Sequence, residues 1–171
     1  TTYRTQVISS DAEAALVKAI KSNINKASGP FANAKFRYDY YHLAKQPWNK
    51  FIGTCHGNPS AWFLKTSSNI AGVIAAWFNY TETDNEFQTS YKKLLTFLNE
   101  NKTALSSIFY HNCQTLLTNI SSVKEHCANY EFINQCTFGY MGISIVESMN
   151  IKIIHRDFAA SALMSIDKST Y

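Results

Sequence analysis

The sequence predicts an α+β domain with antiparallel strands, on three observations. Two stretches carry apolar residues at helical spacing, each behind a capping box. Two strand-like segments, 61–65 and 70–78, are neighbours in the chain with only a turn between them. Strands and helices do not alternate in the regular rhythm that a parallel sheet requires. The 171 residues suit one domain spanning 1–171, and 46% hydrophobic with 14% aromatic content is enough to fill a core.

Taken in order, Ser10-Asp11-Ala12-Glu13 reads as a capping box, in which the first and fourth residues satisfy each other's backbone N–H groups. Leu16, Val17, Ile20 and Ile24 then predict an amphipathic helix over 11–25, closed by Ser28-Gly29-Pro30. Phe36, Tyr38 and Tyr40 recur at period two and predict a strand. Pro47 suits a first helical turn, and Trp48, Phe51 and Ile52 continue it as a short helix ending near Gly53. A turn cluster occupies 55–59. Ala61 to Lys65 reads as a strand, Ser67-Ser68-Asn69 as a turn, and the wholly apolar Ile70 to Phe78 as a buried strand, which together make a central β-hairpin. Thr83-Asp84-Asn85-Glu86 is a second capping box, and Phe87, Tyr91, Leu94, Leu95 and Leu98 predict a helix over 86–99. Ala104 to Tyr110 is read as a strand, 112–134 as irregular, and the alternations at Ile143/Ile145 and Ile151/Ile153 as further strands.

The chemistry-bearing residue types form no convincing set. A net charge of +4 without a basic run argues against nucleic-acid binding, whose electrostatic footprint is a concentrated patch. The longest apolar run, Ile70 to Phe78, falls well short of the ~20 residues of a membrane helix, so no membrane insertion is expected. Four cysteines and three N-x-S/T sequons, at Asn79, Asn101 and Asn119, leave open a secreted, disulfide-bonded glycoprotein binding domain. The sequons are no more than an Asn-, Ser- and Thr-rich composition produces by chance, and the cysteine density is low, so a reducing, cytoplasmic compartment is favoured. The chain opens on Thr1, as a processed or trimmed product would. His111, Cys113, His126, Cys127 and Cys136 are metal-ligand types without paired zinc-site spacing, so no metal or cofactor is expected. Cys55 beside His56 leaves open a thiol-dependent enzyme, but adjacent side chains usually diverge and no orienting carboxylate is evident. His155-Arg156-Asp157 matches a kinase catalytic loop by letters alone, with no glycine-rich loop or Asp-Phe-Gly to accompany it.

Residues 36–78 taken as one pattern carry a resemblance. A strand with Phe36, Tyr40 and Tyr41 leads into a helix with Trp48 and Phe51. Cys55-His56-Gly57-Asn58 follows, then Trp62-Phe63-Leu64-Lys65-Thr66, a turn, Ile70-Ala71-Gly72-Val73-Ile74, and Trp77. This resembles the TLDc domain, the oxidation-resistance module of eukaryotes. His56 stands where that family has an acid, and Ala71 where it has phenylalanine. More weakly, Ser106 to Tyr110, Phe138-Gly139 and Ile143-Ser144-Ile145 occupy places of later family motifs. Residues 79–103 exceed the family's usual connection, an apparent helical insertion, and the closing family strand is missing. The resemblance implies two antiparallel sheets packed as a sandwich with flanking helices. It also implies a non-enzymatic protein-interaction module whose partner is a large protein complex such as the vacuolar proton-pumping ATPase (V-ATPase). Cys55, Gly57, Gly72, Trp77 and Gly139 would then be structural residues of the motif, with the glycines placed where backbones pass closely.

Overall fold

A computed structural model of the chain describes residues 6–135 apart from 12, 27, 30 and 55–58. Its amino-terminal unit is β-strand, helix, β-strand: β1 (Val7–Ser10), α1 (Ala14–Ile24) and β2 (Lys35–Tyr38). The strands are parallel, with Ile8 opposite Phe36 and Ser10 opposite Tyr38. The direction follows from the connection, because a crossover through a helix returns the chain to the same end of the sheet. A π-helical turn (Tyr41–Lys45) runs directly into α2 (Gln46–Gly53). Then come three long helices, α3 (Ala61–Asn79), α4 (Asp84–Glu100) and α5 (Ser107–Ser122), and two 3-10 turns at Lys124–His126 and Asn129–Glu131.

This architecture corrects the expected fold. The two-sheet antiparallel sandwich is absent among the described residues, whose one sheet has two parallel strands. The segments read as a central hairpin, 61–65 and 70–78, are one continuous helix of 19 residues. Its buried positions are Thr66, Ser67, Ile70, Ile74, Trp77 and Phe78, a helical period and not an alternating one. Ser60 starts it by accepting the Phe63 N–H on its side-chain oxygen at 3.1 Å. The supposed turn at Ser67 is absorbed because its hydroxyl donates to the Leu64 carbonyl at 2.9 Å, inside the helix. The strand assigned to 104–110 is likewise the start of α5, capped by Ser106, whose oxygen accepts the Phe109 N–H at 3.2 Å. The first capping box does not form either: Ser10 ends β1, and the Asp11 carboxylate accepts the Glu13 N–H at 3.3 Å. Of the second, the Thr83 half forms, accepting the Glu86 N–H at 3.2 Å, while the Glu86 carboxylate accepts the N–H of Glu82, one residue before the cap, at 2.8 Å.

The core lies between α3, α4, α5 and the Tyr41–Gly53 helical stretch. Trp77 is 1% exposed; its ring lies 5.0 Å from that of Phe87, and its indole N–H donates to Ser90 at 2.9 Å. Phe109 is edge-on to both Trp48 and Phe63, at 5.6 and 5.0 Å between ring centroids. Along α5 the buried Phe109, Cys113, Leu116, Leu117 and Ile120 form one stripe. The α4 residues Phe87, Leu94 and Leu98 are buried in the same core, so the segment expected as an insertion supplies part of the packing.

The βαβ unit joins this core through β2. Arg37 is 3% exposed and donates to the Phe78 carbonyl at 2.8 Å, with its guanidinium 4.9 Å over the Phe132 ring. On the other face of the strand, Phe36 and Tyr38 meet the His126 ring edge-on.

Candidate functional site: a groove between two helices

A concavity of about 850 Å³ lies between α3 and α4. It follows from how the two helices meet. Trp77, Phe87 and Tyr91 lock them together beside their connecting turn. Away from that lock, each helix lends one stripe to a shared trough: Trp62, Thr66, Asn69 and Val73 on α3, and Glu86, Thr89, Lys93 and Phe97 on α4. Both stripes have the spacing of a single helical face. Ile70 and Leu94 form the apolar floor, buried at 2% and 7% exposure. Trp62, 44% exposed, stands at the end remote from the turn.

The electrostatics of the trough are uneven. Lys65 and Lys93 line it, and neither has a hydrogen-bond or ion-pair partner among the described residues. Its one carboxylate, Glu86, sits in the first turn of α4 and is held by the Glu82 N–H. Positive charge therefore dominates the Trp62 end, and the acid lies at the turn end.

The residues singled out by sequence fall elsewhere. Cys55, Gly57 and Gly139 lie outside the described residues, as do His56, Cys136, His155, Arg156 and Asp157. Trp77 is at the heart of the core. Gly72 is on the exposed side of α3, where an added Cβ would meet no atom within 4 Å; no close backbone approach occurs there. Cys113 and Cys127 are free, buried thiols, each pushed up to about 12 by burial. Such thiols are poor nucleophiles at neutral pH. No three His, Cys, Asp or Glu side chains converge as a metal site among the described residues.

Two further polar arrangements have structural explanations. Asp39, 1% exposed, accepts the Tyr41 N–H at 3.3 Å and pairs with His42 Nδ1 at 2.7 Å, which anchors the start of the Tyr41–Gly53 helical stretch. His126 Nε2 lies 3.1 Å from the Lys21 ammonium, and burial together with that positive charge holds its pKa below the usual range. No helix of the described residues is long and apolar enough to cross a membrane.

The class defined by these observations is a parallel βαβ unit joined to a helical core, with an amphipathic groove on one helical hairpin. No protein-family model, curated protein or solved structure matches the chain. The strand, turn and strand expected from the resemblance over 62–78 are one helix.

Proposed function

We propose that this chain is a non-catalytic interaction module that binds a partner through the α3–α4 groove. The observation that carries this reading is the groove's make-up: an apolar floor of Ile70 and Leu94, an exposed Trp62 at one end, and polar side chains along both rims. Binding sites combine a desolvated apolar centre with a polar margin, and tryptophan is the side chain most often found as an anchor. Trp62, Lys65, Asn69, Thr89 and Lys93 along its rims are exposed. The proton-pump partner is an implication of the TLDc resemblance alone, and the proposal, which is carried by the groove, does not include it.

A displayed library of 16-residue peptides, panned on the chain, tests the reading. Selected binders should lose affinity for Trp62→Ala and for Thr89→Trp, which fills the groove from an exposed position and leaves the core untouched. Binders indifferent to both substitutions would place the docking surface elsewhere.

A further inference from the structure

Resting on the groove reading, we infer that the occupant is an amphipathic α-helix of a partner protein whose acidic side chains gather at the end lying beside Trp62. Shape supplies the first argument. The α3 stripe from Trp62 to Val73 and the α4 stripe from Glu86 to Phe97 each span eleven residue steps, about 17 Å of helix. That is three turns, and the trough between two helices is the seat that a third helix occupies when ridges pack into grooves. A partner helix with apolar residues three and four apart along one face would reach Ile70, Val73, Leu94 and Phe97 in succession.

Charge supplies the second argument and gives the occupant a direction. Lys65 and Lys93 face the trough without a carboxylate partner among the described residues. Glu86, at the other end, already accepts a backbone N–H. The amino-terminal end of α3 adds positive potential beside Trp62 and Lys65. An acidic segment there meets two cations that no carboxylate among the described residues pairs, while a basic segment meets repulsion from both. The exposed rim makes this a matter of selectivity more than of raw affinity.

The test uses two synthetic 16-residue helical peptides with one leucine stripe and identical length. One carries glutamates beside the stripe at one end, the other lysines at the same positions. Isothermal titration is run against the wild-type chain, Lys65→Glu/Lys93→Glu, and Thr89→Trp. The inference expects the wild type to prefer the glutamate peptide by about tenfold at low salt, as two exposed pairs exchanged for two repulsions would give. The preference should shrink in high salt and reverse in the double variant. Equal binding of both peptides, lost in Thr89→Trp, would overturn the acidic-helix inference and leave the groove reading standing. Binding of neither peptide would overturn the inference, as would binding that survives Thr89→Trp; survival would also remove the groove as the site.

Discussion

Replacing Gly72 with alanine separates the helical account of residues 61–79 from the hairpin that the sequence suggests. Gly72 lies in the interior of α3 on its exposed side, outside the left-handed φ region, with open space where a Cβ would go. Alanine there removes backbone freedom from the unfolded chain and introduces no clash. Glycine in a helix interior costs about 0.5–1 kcal/mol relative to alanine, so Gly72→Ala should stabilise the chain by that amount. For a chain of this size the gain corresponds to a rise of about 1–4 °C in Tm. Urea unfolding followed by circular dichroism, with the slope unchanged, measures it directly. A companion Gly72→Pro should cost about 3 kcal/mol or more, since it removes a helical hydrogen bond and collides with the preceding turn. If alanine instead destabilises the chain by 1 kcal/mol or more, Gly72 sits at a close approach and the helix assignment fails.

Three other outcomes follow from the same packing. Ser106→Ala should cost about 1 kcal/mol in urea unfolding, because it leaves the Phe109 N–H at the head of α5 without its acceptor. Cys113 and Cys127, buried and with thiol pKa values near 12, should resist iodoacetamide at pH 8 in the native chain and react in denaturant, with peptide mass spectrometry as the readout. The His126 imidazole titrates lower in the folded state than in the unfolded one, through burial and then Lys21. The unfolded state therefore binds more protons as pH falls, and the His126 contribution, present above the unfolded pKa near 6.5, is lost below it. Stability measured from pH 7.5 to pH 5 should decline, and His126→Gln should flatten that slope; an unchanged slope would remove His126 as its source.

The legible parts of the fold were those where a start signal and a stripe agreed. The α4 helix had both halves of its capping box, Thr83 and Glu86, and a clean apolar period, and α2 had Pro47 and Trp48. The α1 helix was read from Val17 and its neighbours, although Ser10 belongs to β1 and caps nothing. The helices that sequence reasoning missed, α3 and α5, are capped by Ser60 and Ser106, with Phe63 and Phe109 where a box would have glutamate, so half of the signal was absent. β-branched Ile70, Val73 and Ile74 then imitated a buried strand, although Ile70, Ile74, Trp77 and Phe78 stand at helical spacing. In α5 the period of Phe109, Cys113, Leu116, Leu117 and Ile120 was obscured by interleaved Thr115 and Thr118, whose hydroxyls return to carbonyls one turn back. The groove disappeared with α3: on a strand, Trp62, Lys65 and Asn69 have no common face, whereas on a helix they line one trough. β1, a four-residue strand, offered too short an alternation to be read.

The groove itself is tested most directly by the amide spectrum of the isotopically labelled chain, titrated with a peptide selected by panning. The account predicts shift changes concentrated at 62–73 and 85–97, with β1, β2 and the middle of α5 little altered. Changes centred on the βαβ unit or α5, with those two stretches unmoved, would contradict it.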